Sequence, residues 1–291
     1  MLRFIPHAVR GFFMGAADVV PGVSGGTVAL VAGIYERLIA TVRLLAAVAG
    51  RLLRADLRTA REHLREVDWG FIVPLFLGIV VAFVSLARVI ESLMEEHPVE
   101  VGAVFFGLVA ASAVVALQYL KRPDLRLIPI MLVSAAVTFF VLGLRSGEVD
   151  DPALVAVFGA GALAICAMIL PGISGSFILL MLGMYEYMLA ALNDREVAVA
   201  GVFILGCAIG LALFSTLLDR LLRRAHDIVL AVLIGLMVGS LRVLWPWPEG
   251  IEESSLAGPP AGEWAMPLVL GLVAAAVVVG VGEFARRRAR A

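Results

Sequence analysis

The sequence predicts an all-α polytopic membrane protein. Its expected plan is an inverted-topology repeat, each half one re-entrant helical hairpin plus three transmembrane helices. Three observations lead there. The first is composition: 62% of the 291 residues are hydrophobic and the mean hydropathy is +1.01, far above a soluble domain. The second is an internal repeat. Pro21-Gly22-Val23-Ser24-Gly25-Gly26 returns as Pro171-Gly172-Ile173-Ser174-Gly175-Ser176, and Gly33-Ile34-Tyr35-Glu36 as Gly183-Met184-Tyr185-Glu186, at a constant offset of 150 positions. Similarity at one fixed offset, once in each half, points to a duplication. The third is charge placement, which is one-sided along the whole chain.

In chain order, the first motif-bearing stretch covers about 6–45. Pro and Gly at its centre break the helix. Its first arm, Pro6 to Val20, is 15 residues, or roughly 22 Å against a hydrocarbon core of about 30 Å. That arm is too short to cross, so the stretch reads as a hairpin that enters and leaves by one face. Residues 46–69 carry Leu52, Leu53, Leu57, Leu64 and Val67 among charged positions, the pattern of an amphipathic helix on the membrane surface. Anionic-lipid attraction and a plain connector both fit it. Spans follow at about 70–94, 98–119 and 126–145, closing a first repeat of 1–147. The second repeat, 148–291, holds a hairpin at about 152–192 and spans at about 196–218, 227–246 and 264–284. The arms of the second hairpin, 153–170 and 174–192, are long enough to be ambiguous alone, and the repeat decides them.

Under this layout every one of the 23 basic residues except Arg88, Arg145, Arg195 and Arg242 lies on one side, and the opposite loops are rich in Asp and Glu. The positive-inside rule therefore puts both termini in the cytoplasm. Three spans per half is an odd number, so the halves insert with opposite orientation. Inverted repeats with broken helices place a site near the midplane and allow alternating access. Tight helix packing through small residues is the plainer explanation of the motif. The N-terminus shows no cleavage site, so no removed signal peptide is expected. Cys166 and Cys207 sit in apolar runs and read as packing residues. A net charge of −1 gives no field for nucleic acid.

The tips could bind an anion. Irregular backbone survives at membrane depth only where it lines protein or a wet cavity. The expected substrate-binding set is Pro21, Gly22, Ser24, Gly25, Gly26 and Thr27 with Pro171, Gly172, Ser174, Gly175 and Ser176: glycines admit a close ligand oxygen, and hydroxyls and helix-start amides face it. Arg88, one turn from Glu91, could pair with that carboxylate or meet a headgroup. Asp18, three residues before Pro21, is either a coupling group for a proton or sodium ion or a carboxylate bonded to tip amides. Its counterpart is Met168, so any coupling is asymmetric. Glu36 and Glu186 lie 12 residues past Ser24 and Ser174, at hairpin mouths, as gating or simply solvated groups.

The run Gly15-Ala16-Ala17-Asp18-Val19-Val20-Pro21-Gly22-Val23-Ser24-Gly25-Gly26-Thr27, with Gly33-Ile34-Tyr35-Glu36 and the second copy Leu170 to Phe177, resembles the signature of the bacterial polyprenyl-phosphate transporter family (PopT-like, formerly a domain of unknown function). The resemblance covers essentially the whole chain. It implies a flippase for undecaprenyl phosphate, a multi-pass protein of the bacterial cytoplasmic membrane returning the lipid carrier of cell-wall synthesis from the outer to the inner leaflet. It implies no cofactor and no metal; the expected partners are the polyprenyl phosphate and membrane lipids, with a homo-oligomer left open.

Three rivals remain. Gly-x-Ser-Gly also occurs in rhomboid proteases, but a nucleophilic serine needs a base in reach, and His7, His63, His97 and His226 fall at span ends or in loops. Undecaprenyl-diphosphate phosphatases carry an arginine in a similar tip; neither tip has one here. A small organic anion transporter would differ only in its lack of lipid dependence.

Overall fold

The computed structural model describes residues 4–20, 22–144, 147, 149, 151–247, 256–260 and 262–290. Pro21 and the loop acids Glu148, Asp150, Glu249, Glu252 and Glu253 lie outside the described residues. Those described form only helices, turns and irregular connections. In order they are α1 (Ile5–Asp18), α2 (Gly25–Val31), α3 (Tyr35–Leu53), α4 (Leu57–Glu66), α5 (Trp69–Glu96) and α6 (Pro98–Ala116), which runs into a 3₁₀ turn at Leu117–Tyr119. Then come α7 (Leu127–Val141), α8 (Leu154–Ile169), α9 (Gly175–Met181), α10 (Tyr185–Asn193), α11 (Val197–Arg224), α12 (His226–Ser240) and α13 (Ala265–Arg290).

Among the described residues four stretches are long and apolar enough to cross a membrane: Trp69–Glu96, Pro98–Tyr119, Val197–Arg224 and Ala265–Glu283. These match four of the six expected spans, and the chain is a multi-pass membrane protein. The other two are shorter than expected. α7 and α12 have 15 residues each, or about 22 Å, because the chain leaves helix at Leu142-Gly143 and again at Leu241. The amphipathic segment also begins later than 46. α3 continues to Leu53, since nothing before Ala55, at φ 56°, breaks its run. α4 alone is the amphipathic helix; Asp56 Oδ1 accepts from Thr59 N–H at 3.2 Å to cap it, and Ala60 is its buried position.

The helices pack in a repeated pattern of pairs. α1 lies along α5 as α8 lies along α11, and α6 on α13 as α12 on α7. Small residues bring the backbones together. A Cβ on Gly15 would stand 2.6 Å from the Ile79 carbonyl oxygen, and one on Gly210 2.7 Å from that of Ala162. The core between the halves is Val20, Val23, Phe71, Leu75, Met237 and Leu244, all at most 1% exposed.

Polar ties hold one end of the molecule. Arg37 pairs with Asp68 and lies 4.2 Å over the Phe71 ring. Hydrogen bonding from Arg37 holds the Asp68 carboxyl below its ordinary range. Arg43 and Arg223 both reach Asp219 Oδ2 at 3.0 Å, tying α3 to α11.

Candidate functional site

The site is where the two broken stretches meet. α1 stops at the residues before Pro21, where proline disfavours further helix. Gly22 then takes φ 84°, as Gly172 takes φ 86° in the second copy. Ser24 is extended, with φ −132° and ψ 136°, and its hydroxyl accepts the Gly26 N–H at 3.0 Å, capping α2. Asp18 Oδ1 accepts the Gly25 N–H at 2.6 Å, so the first tip is held by its own carboxylate.

Three hydrogen bonds join the first hairpin to the second tip. Ser24 Oγ donates to the Met168 carbonyl at 3.0 Å, Tyr35 OH to the Ile169 carbonyl at 3.3 Å, and the Gly172 N–H to Thr27 Oγ1 at 2.9 Å. Ser24 and Thr27 are fully buried there. Replacing Thr27 with Val keeps its shape but leaves the Gly172 N–H buried without an acceptor. A loss of about 1–3 kcal/mol in stability is expected, with Thr27→Ser near wild type; thermal unfolding of the purified protein checks it.

The tips are not equivalent. Ser174 does not cap α9; its hydroxyl lies 2.8 Å from that of Ser176. Both serines, Gly175 and Asp18 line a cavity of about 710 Å³. Its walls are mostly apolar, with Phe83, Ala87 and Ile90 of α5 and Ala164, Leu179 and Phe203 among them, and Glu91, Glu95 and Tyr185 also line it. The hydroxyls of the first tip are thus spent on holding the second, and those of the second face open space.

At the opposite end the molecule is closed. Tyr35 is 2% exposed, whereas its counterpart Tyr185 is 37% exposed. Tyr119 OH donates to the Val31 carbonyl at 2.8 Å. Just outside, His226 Nε2 lies 2.7 Å from Glu36 Oε1 and its Nδ1 2.9 Å from Asp227 Oδ1. Asp227 in turn accepts the N–H groups of Lys121 and Arg122, both at 2.9 Å.

Of the expected site residues, Asp18, Gly22, Ser24, Gly25, Gly26, Thr27, Pro171, Gly172, Ser174, Gly175 and Ser176 come together. Glu36 sits in the closed end and Glu186 is exposed near the open one. They are not on straight continuations of α2 and α9: Gly33 and Gly183, at φ 67° and 68°, break the chain, and α9 and α10 meet at 110°. Arg88 is exposed and does not line the cavity, and among the described residues it forms no pair with Glu91. Tyr35, His226 and Asp227 were not expected at the site. The repeated Gly-x-Tyr-Glu was the available signal for Tyr35; Glu36 and His226 are 190 positions apart, and nothing local links them.

Helices broken at glycine tips that meet beneath a one-sided cavity, inside a multi-pass bundle, define a membrane protein of the broken-helix class. The chain belongs to the undecaprenyl phosphate translocase-like family, whose model matches residues 14–257. A polyprenyl-phosphate transporter of Vibrio cholerae serotype O1 is 35% identical over 307 residues, covering 98% of each chain. A polyprenyl-phosphate transporter of Staphylococcus aureus is 28% identical over 257 residues, 82% of this chain and 86% of that one. No solved structure matches the chain.

Proposed function

We propose that the protein carries polyprenyl phosphate, undecaprenyl phosphate foremost, from the outer to the inner leaflet of the bacterial cytoplasmic membrane by alternating access between inverted repeats. The observation that carries this reading is the inequality of the two repeat-related tyrosines, one sealed at 2% exposure and one at 37% in a cavity mouth. A symmetric sequence in an asymmetric state is what a one-sided access conformation looks like. On this reading each hairpin is re-entrant, both termini are cytoplasmic, the Tyr185 end faces outward, and rocking of the halves exchanges the roles of Tyr35 and Tyr185.

The cavity suits a headgroup with a long apolar tail. Ser174 and Ser176 offer hydroxyls, the start of α9 lacks a side-chain cap, and Phe83, Ala87, Ile90 and Phe203 supply hydrocarbon wall. Asp18, Glu91 and Glu95 line the same cavity and repel a bare phosphate there, so the headgroup travels with a proton or sodium ion that neutralises part of this charge. Asp18 is the nearest carboxylate to the tips, and its bond to Gly25 makes tip geometry sensitive to its ionisation. The hydrolase alternatives are weaker: Ser24 Oγ donates to the Met168 carbonyl and Ser174 Oγ pairs with Ser176 Oγ, and among the described residues neither hydroxyl is hydrogen-bonded to a histidine or a carboxylate.

The test is leaflet exchange of a fluorescent polyprenyl phosphate in liposomes, read by membrane-impermeant quenching under imposed pH or sodium gradients. Ser24→Ala/Ser174→Ala should slow exchange at least tenfold, and Asp18→Asn should abolish its response to the gradient. No exchange by wild type under any gradient, with phosphate released instead, makes the protein an enzyme. Equal transport of a water-soluble organic phosphate makes it a small-anion carrier.

A further inference from the structure

We propose that Arg242 and the aromatic cleft around it form a second anion site, separate from the tip cavity. It receives the phosphate head of a polyprenyl phosphate at the end of the molecule remote from His226. The identity of the lipid rests on the function proposed above; the site itself rests on four observations.

The first is an unsatisfied cation. Arg242 is half-buried just past the end of α12, and its Nε is fully enclosed without a hydrogen-bond partner. Among the described residues no carboxylate pairs with it, whereas Arg37, Arg43, Arg51 and Arg223 each have an aspartate. A half-buried cation in an apolar setting is costly until an anion joins it.

The second is the shape of the surroundings. A cavity of about 320 Å³ adjoins the guanidinium, lined by Phe106, Phe139, Leu241, Trp245 and Leu256, and none of the described lining residues is acidic. One cation among aromatic and aliphatic walls matches a charged head on an apolar chain. An arginine fork also offers two parallel donors to phosphate oxygens.

The third is that the guanidinium is held in place. It lies 4.6 Å over the Phe139 ring, and Gly143 makes the room, since a Cβ there would stand 2.7 Å from Arg242 Cζ. Trp245 is fixed in turn: its ring packs on Phe106 and Trp247, and its Nε1–H donates to the Ala257 carbonyl at 2.8 Å.

The fourth is position. α12 starts at His226 in the closed end and runs to the other, so Arg242 lies at the same end as the open mouth of the tip cavity. The next two residues touch the first tip: a Cβ on Gly22 would stand 3.0 Å from Val243 Cγ1 and 3.1 Å from Leu244 Cδ2. A ligand that shifts Arg242 therefore pulls on the segment that supports Gly22. The cleft is a waiting site from which a bound head bears on the tips.

The experiment uses the full chain in phosphatidylcholine nanodiscs. A polyprenyl phosphate with a photoreactive group next to its phosphate is the probe, and labelled peptides are mapped by mass spectrometry. Label is expected both at the tips and on peptides containing Phe139 or Trp245. In Arg242→Gln the cleft label should fall about tenfold while tip label persists, which also shows that the variant is folded. Arg242→Lys should keep more cleft label than Arg242→Gln, and the parent polyprenol should not compete. The proposal is overturned by cleft label unchanged in Arg242→Gln, by loss at both places, or by displacement with phosphatidylglycerol as effective as with unlabelled polyprenyl phosphate. Cleft label without tip label leaves this site standing and removes the function proposed for the tips.

Discussion

Gly172→Ala should cost clearly more stability than Gly22→Ala, its counterpart in the first tip. Both glycines sit at positive φ, 86° and 84°, so both substitutions carry the left-handed penalty of roughly 1–2 kcal/mol. They differ in what the new methyl meets. At Gly22 it would touch the ends of Val243 and Leu244 at 3.0–3.1 Å, and side chains can yield. At Gly172 it would stand 2.7 Å from Met237 Cα and 2.9 Å from Ser240 Oγ. Main chain in the last turn of α12 cannot move without lifting that turn from α7, against which Gly239 is packed. Overpacking of this kind adds about 1–3 kcal/mol. The shift also stretches the Gly172 N–H bond to Thr27. Denaturation of the two variants in one detergent gives the comparison, and equal losses would show that the Met237 backbone is not the obstacle.

The second large effect concerns which end is open. Removing the carboxylate charge in Glu36→Gln weakens its contact with His226, a bridge between the first hairpin and α12. The closed end should then open more often. A reporter cysteine in Ala29→Cys, on a Cys166→Ala/Cys207→Ala background, reads this directly, because Ala29 is fully buried in the present state. Its reaction with a maleimide should speed up several-fold in Glu36→Gln and stay unchanged in Glu186→Gln, since Glu186 is exposed and has no such contact. The inverted-repeat proposal adds a partner for Glu186. Ala225, which precedes His226, has φ −140° and ψ 48°, and His97 caps α6 with φ −137° and ψ 53°. His97 therefore stands one residue from the place equivalent to His226. In the opposite access state Glu186 should approach His97, and a disulfide between cysteines at those two positions should trap it. Equal reporter rates in wild type and Glu36→Gln would sink the latch.

Much of the architecture was readable because it rests on local physics. The shortness of the first arm follows from Pro6 and Pro21, and α1 is indeed 14 residues. Close packing through small residues is likewise local, and Gly206 and Gly210 meet the α8 backbone. The length of α7 and α12 was misjudged because hydropathy cannot tell a helical Leu142 from one in a turn. The tip residues could be picked out from the repeat, but their arrangement could not. Nothing in Ser24 and Ser174, identical in type and context, says that one is buried against a carbonyl and the other faces a cavity. That difference belongs to the conformation. Arg242 was visible only as one of three basic residues on the acidic side; its lack of a partner is a fact of three-dimensional neighbours.

One feature of the tips bears on how such a molecule could change over time. Two of the three bonds from the first hairpin to the second tip end on main-chain carbonyls, those of Met168 and Ile169, and the third starts from the main-chain N–H of Gly172. On the second half's side, then, every atom used is one that all residues but proline possess. If the halves arose by duplication, the second copy could lose its aspartate to become Met168 and its threonine to become Phe177 without breaking the seam. The seam tolerates inheritance of difference on one side only: the first copy must keep its hydroxyls, while the second is free to specialise as the lining of the cavity.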